Sequence, residues 1–252
     1  MKSNLVRLSF FALVLGFCTV VLAEGPPAID LTPKLPWPGD AAFPGQGPLP
    51  KRALFKSTWS DRRFQFNQTK RQDHGAIVFA GDSSVQYWQT LAQDFPGLKV
   101  ANRGLNGDMT RVLWQRWKED VLDLEPKAIV LLIGGGDISA NGDPEQIAGN
   151  IKHILQATHA QNSTLPIIVC KVMPSAIKWN RPANRIKQLN ALVDKIVQDE
   201  PHCVRCDTWS TMADVNGNAN PALFLDLLNL DEMGYERLKA ALQPILAKVS
   251  GQ

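Results

Sequence analysis

Ser83 follows the apolar run Ala76-Ile77-Val78-Phe79-Ala80, separated from it only by Gly81 and Asp82. Such a run reads as a buried strand, Gly81 allows a sharp turn, and Ser83 falls at the mouth of a helix. A hydroxyl there is a nucleophile aimed out of a strand end, beside backbone N–H groups able to receive an oxyanion. It needs a base to take its proton and a carboxylate to orient that base. Far downstream, Asp226-Leu227-Leu228-Asn229 supplies the carboxylate, but an amide stands three residues on, where a histidine is wanted. An amide cannot take a serine proton near neutral pH.

The chain has four histidines. His74 precedes the first strand and His202 the last, which puts both at the amino edge of the sheet, away from Ser83. His153 and His159 lie in a helix that leads away from the carboxyl edge. Asp108 and Asp137 fall after strands, and either would need a raised pKa to act as a base at neutral pH. Asp82, Asp108, Asp137 and Asp226 together could hold a hard cation, but carboxylates at such places more often cap turns and helix starts, so no metal is expected. The run Gly134-Gly135-Gly136 is either a tight turn or space for a ligand. Trp179, among Lys178, Asn180 and Arg181, is a candidate cleft wall, whereas Trp88, Trp114 and Trp117 read as core.

These residues need a scaffold that gathers strand ends. Helical patterns over about 55–70, 84–91, 110–124, 144–160, 184–198 and 232–249 alternate with apolar strand patterns. The strands are Ile77–Ala80, Lys99–Asn102, Ala128–Ile133, Leu165–Val172 and Cys203–Cys206, and Asp231 is a plausible N-cap for the last helix. Continuous apolar strands between helices predict one three-layer α/β/α domain with a mainly parallel five-stranded sheet. In such sheets ligands bind beyond the carboxyl ends of the strands, where every candidate above falls.

Residues 1–23 read as an export signal, with Lys2 and Arg7 before the apolar Leu8–Leu22 and small Val21 and Ala23 before Glu24. The expected location is therefore periplasmic or secreted, with no membrane span after processing. Residues 24–50 hold eight prolines and read as an extended arm, which either lies on the domain through Trp37 and Phe43 or is disordered. Residues 51–252 are the expected domain. A net charge of +3 with scattered basic residues gives no case for nucleic acid. Outside the signal, Cys170, Cys203 and Cys206 could form a disulfide or remain buried thiols on neighbouring strands. No Cys/His spacing suggests zinc, and no cofactor is expected.

From Trp59 onward the chain resembles the SGNH or GDSL-type serine hydrolases, most nearly the branch of platelet-activating-factor acetylhydrolase-like esterases. Gly81-Asp82-Ser83-Ser84 matches the nucleophile block. Asn102-Arg103-Gly104-Leu105-Asn106-Gly107-Asp108-Met109-Thr110 matches the second block. Ile133-Gly134-Gly135-Gly136-Asp137-Ile138 matches the third, which usually reads Gly-x-Asn-Asp. Asp226 to Asn229, followed by Gly234-Tyr235, matches the last, usually Asp-x-x-His. The resemblance implies a flavodoxin-like fold and Ser83 as nucleophile. It further implies oxyanion donors at Gly107 and at the Ser83 amide, Asp226 as the orienting acid, and Asn106 and Asp137 beside the site. It also exposes two departures: Gly136 where the oxyanion asparagine belongs, and Asn229 where the histidine belongs.

Loss of the base in a serine triad costs about 10⁶-fold in kcat, and loss of one oxyanion donor about 10²–10³-fold. Three readings stay open at this level. One is an acetyl- or short-acyl esterase with a degenerate site and weak activity. Another is a non-catalytic relative binding an acylated or carbohydrate ligand, and the third is an interaction protein using the proline-rich arm. A small-molecule or glycan ester is the expected partner.

Overall fold

The computed structural model describes residues 34–51 and 53–250, all within one compact unit, Leu31–Gln252. The expected export signal and the first part of the arm lie outside the described residues.

Five parallel strands form one sheet in the order β2-β1-β3-β4-β5: β1 Ile77–Gly81, β2 Val100–Gly104, β3 Ala128–Leu132, β4 Ile167–Cys170 and β5 Cys203–Cys206. The helices are α1 Ala53–Asp73, α2 Ser83–Gln86, α3 Leu91–Asp94, α4 Thr110–Asp120, α5 Gly135–Ser139, α6 Pro144–Gln161, α7 Ala183–Asp199, α8 Thr208–Met212 and α9 Glu232–Ser250. Alternate strand residues enter opposite layers, as the period of two requires. Val78, Ala80, Ile129, Leu131, Ile167 and Val169 pack with Leu113, Trp117, Ile151, Leu155, Leu189 and Val193 from α4, α6 and α7. Ile77, Phe79, Val130, Leu132 and Ile168 pack with Trp88, Phe95, Met212, Leu238 and Leu242 on the other side. Both central strands, β1 and β3, are buried throughout, which is why they read as unbroken apolar runs. Among the described residues no helix is long and apolar enough to cross a membrane.

One expectation needs correction. The single helix expected at 84–91 is two short ones, α2 and α3, because Trp88 turns into the core between them. There its indole N–H donates to Asp94 at 2.7 Å. The short helices α5 and α8 have too few residues to show a period in the sequence. Of the two cysteine alternatives the structure has thiols: among the described residues Cys170, Cys203 and Cys206 are free and no disulfide forms. The register sets Cys170 beside Cys206 on neighbouring strands, and burial pushes the Cys203 thiol up to about 12, with the Glu200 carboxylate adding to the rise.

The described part of the arm, from Lys34 to Pro50, is seated on the domain. Trp37 packs on Phe43, Phe55 and Trp59 with ring centroids 4.5, 5.6 and 5.4 Å apart. Apart from a short 3-10 turn, Asp40–Ala42, the arm lacks regular structure and leaves carbonyls open, and Arg111 from α4 donates to those of Phe43, Pro44 and Gly47 at 2.8–2.9 Å.

Candidate active site

At the carboxyl ends of the strands lies a cleft of about 900 Å³. Ser83 reaches it because β1 stops abruptly. Gly81 adopts φ +156°, and a β-carbon there would lie 1.9 Å from the Leu132 carbonyl of β3. The Asp82 side chain then caps α2 by accepting from Ser84 N–H at 3.0 Å, leaving Ser83 half-buried at the first helical position. From the far side, Tyr235 of α9 donates its hydroxyl to the Ser84 carbonyl at 3.2 Å. The Ser83 hydroxyl itself has no hydrogen-bond partner among the described residues.

The loop after β2 brings Asn106 and Gly107 to the same cleft. Leu105 N–H bonds to the Gly81 carbonyl at 2.9 Å, tying this loop to the serine turn, and Asn106 N–H bonds to Gln86 Oε1 at 2.6 Å. Gly107 has φ +83°, a left-handed conformation that glycine adopts without strain. Its N–H has no acceptor among the described residues, so it is free to donate to a ligand.

Asp226 to Asn229 form a tight loop held from two sides. Leu225 N–H bonds to the Asn229 carbonyl at 2.8 Å, and the segment after β4 grips it through Trp179 Nε1 to the Asp226 carbonyl at 3.0 Å and Ser175 Oγ to the Leu227 carbonyl at 3.0 Å. One Asp226 oxygen accepts from the amides of Leu228 and Asn229 at 2.9 and 2.7 Å, and the other accepts from Asn229 Nδ2 at 3.0 Å. Burial pushes the Asp226 pKa up, but those hydrogen bonds and the Lys178 charge outweigh it and hold the carboxyl below its usual range. With Nδ2 turned to the carboxylate, the Asn229 amide oxygen is left as an acceptor, and Asn229 and Ser83 line the same cleft.

Gly136 also lines the cleft. A β-carbon on it would lie 2.8 Å from the Asp108 carbonyl, so the backbone closes the space a side chain would need. Asp137 lies beneath the cleft and does not line it. It is fully buried and accepts from the Thr110 N–H at 3.0 Å and hydroxyl at 2.7 Å. Burial lifts its pKa to about 7, against the pull of those bonds and with Asp108 adding to the rise. Asp108 is equally buried and paired with Arg116 at 2.7 Å. Burial raises it to about 6 although Arg116 opposes the rise. Neither carboxylate is open to solvent, so neither is placed to take a proton from a solvated hydroxyl.

No histidine lines the cleft. His153 stacks on Trp114 at 4.9 Å, His159 contacts the Leu165 carbonyl at 3.1 Å, His202 packs edge-on to His159, and His74 faces Glu125 at 3.3 Å. Sequence reasoning passed over Arg181, Lys178 and the Pro48–Lys51 end of the arm, all of which line the cleft. They lie on irregular segments, where no period signals orientation. Trp179, the expected cleft wall, lines the cleft. Among the described residues, no three His, Cys, Asp or Glu side chains cluster closely enough to hold a metal ion.

The model of the GDSL-like lipase/acylhydrolase family matches residues 69–237, and the chain belongs to that family. Platelet-activating factor acetylhydrolase IB subunit alpha1 of Rattus norvegicus is 25% identical over 222 residues, spanning 85% of this chain and 94% of the relative. A GDSL-like lipase from Bacteroides thetaiotaomicron superposes with a TM-score of 0.65 at 20% identity, over 77% of this chain and 97% of its own. An acetyl xylan esterase, AlAXEase, gives 0.57 at 19% identity, over 68% and 98%. At such identities the two structures show the shared fold alone.

Proposed function

We propose, with membership of the GDSL-like lipase/acylhydrolase family as the premise, that this protein is a slow serine esterase acting on acetyl or other short-acyl esters. The observation that carries the reading is that Ser83, Gly107 and Asn229 line one cleft. Ser83 Oγ forms a bond to the acyl carbon, and the carbonyl electron pair moves onto its oxygen. The Gly107 and Ser83 amides receive that oxygen. Asn229 accepts a hydrogen bond from the serine hydroxyl and fixes its direction, while Asp226 fixes Asn229. The serine proton passes to cleft water, because no side chain at the site can hold it. Collapse of the intermediate breaks the bond to the alcohol, which leaves with a proton from that water. A second water then releases the carboxylate from Ser83.

The same absence slows both halves of the reaction. A positioned base contributes about 10²–10⁴-fold to each proton transfer, whereas the oxyanion donors and the bound geometry still act. The natural ligand fits a cleft bounded by Pro48–Lys51 of the arm, Tyr87 and Trp179, consistent with an acyl group on a small molecule or a glycan. A second reading, a relative that binds such a ligand without turning it over, is favoured by one observation: an amide holds the place of the base. Hydrolysis of an aryl acetate separates the two. The esterase reading expects slow turnover by the native protein that drops to the solution background in Ser83→Ala. Equal rates in both would leave only binding.

A further inference from the structure

Among the described residues, Arg181 is the one half-buried or buried arginine whose Nη1 and Nη2 both lack a hydrogen-bond partner. Its Nε donates to Ser139 Oγ at 2.8 Å, and that hydroxyl donates to the Trp179 carbonyl at 3.0 Å, so the side chain is anchored at its neck with its fork left open. The fork is not sealed in the core, because neither Nη is among the buried polar atoms that lack a partner. It lies over Gly135, where a β-carbon would stand 2.6 Å from Nη1 and 2.9 Å from Cζ. It lines the cleft together with Ser83, Gly107, Gly136 and Asn229.

Burial holds the Arg181 pKa below its usual value against the opposing pull of Asp82 and Asp137, and neither carboxylate reaches ion-pair distance. A guanidinium keeps its charge in such surroundings. A half-buried cation with two free, coplanar donors is matched by an anionic oxygen, and a carboxylate presents two in the right geometry. Lys51 and Lys178 on the same cleft add to the positive field.

We propose that Arg181 is the acyl-oxygen receptor of this cleft. Its Nη donors join the Gly107 and Ser83 amides in holding the negative oxygen formed when a carboxylic ester is attacked, and then hold the carboxylate released. The ligand class it selects is therefore a carboxylic acyl group. Gly135 lacks a side chain because the fork, brought from the loop after β4, occupies that space. The catalytic half of this proposal rests on the esterase reading above, and the carboxylate-binding half does not.

Two measurements separate them. The first is acetate binding, followed by thermal stabilisation against chloride at equal ionic strength, in the native protein, Ser83→Ala, Arg181→Gln and Arg181→Lys. Acetate is expected to bind native and Ser83→Ala protein alike, about tenfold or more weaker in Arg181→Gln, and with partial recovery in Arg181→Lys. The second is aryl acetate turnover, where Arg181→Gln is expected to lower kcat by about 10²–10³-fold with a smaller change in KM. Gly135→Ala, which displaces the fork without removing its charge, is expected to lose both properties and covers the case in which Arg181→Gln does not fold. Acetate binding that depends on Arg181 without any Ser83-dependent turnover would uphold the receptor and sink the esterase. Ser83-dependent turnover that Arg181→Gln and Gly135→Ala leave unchanged would overturn the catalytic half, and acetate binding that is absent or indifferent to Arg181 would overturn the receptor itself.

Discussion

Two polar regions meet at the ends of β1 and β2, and they are built on opposite principles. Beneath α1 and α4, Arg63, Arg103 and Arg116 are each met by carboxylates: Asp120 at 2.9 Å, Asp73 at 2.7 Å and Asp108 at 2.7 Å. Phe66 lies against the guanidinium groups of Arg62, Arg103 and Arg116 at 4.9, 4.8 and 5.5 Å. Arg116 also donates to the Arg103 carbonyl at 2.9 Å, so this web clamps the strand ends from which Ser83 and Gly107 emerge. In the cleft a few residues away, the serine hydroxyl, the Gly107 amide and the Arg181 fork have no hydrogen-bond partners among the described residues. The contrast teaches that charge alone does not mark a site. Buried guanidinium–carboxylate pairs are framework, and polar groups left open toward a cavity are where a ligand enters.

The comparison is sharpened most by completing the cleft. Asn229→His introduces a base at a position where Asp226 already accepts from the side chain, with its carboxyl held ionised. Ester turnover is expected to rise by about 10²–10⁴-fold, measured as kcat on an aryl acetate. The rescue needs no change at Gly136, since a side chain there would drive into the Asp108 carbonyl. A folded, inert Asn229→His would break the assignment of the cleft.

The framework answers in stability. Asp108→Ala strips Arg116 of its nearest anion, but Asp120 remains 3.5 Å from Nη1. The cost is expected near the lower end of the range for a broken buried pair, about 3 kcal/mol, read as a drop in denaturation midpoint. A neutral result would mean that the web is not the clamp described here.

A further effect is in pH dependence. Folded Asp137 keeps its proton up to about pH 7, whereas an unfolded aspartate has released it by about pH 4. The native state thus binds more protons in that window, and stability must fall as pH rises through it, by up to ~1.4 kcal/mol per pH unit. Asp108, raised to about 6, acts in the same direction. Asp137→Asn is expected to reduce this slope without abolishing it, in urea denaturation followed from pH 4 to 8. An unchanged slope would contradict a buried, protonated Asp137.

Much of the fold was legible because buried parallel strands leave unbroken apolar runs, as in Ala76 to Ala80, and amphipathic helices such as α7 show their period. Residue type marked Ser83, Asp226 and Asn229, and the strand-end rule placed them at one edge. Trp88 broke the expected second helix because tertiary burial overrode local propensity. Seating of the arm was left open, since it depends on Arg111 reaching three carbonyls that carry no sequence signature. Arg181 was illegible for the same reason: only the packed loop shows that its fork lies over Gly135 and lacks a partner.

The central claim is a serine that is acylated without a side-chain base. Its most direct test is intact-mass analysis of native protein and Ser83→Ala during exposure to an aryl acetate. Slow deacylation predicts that the native protein gains a single acetyl group, located at Ser83 by peptide mapping, and that the variant gains none there. An unmodified Ser83 in protein that still hydrolyses the ester would contradict the account.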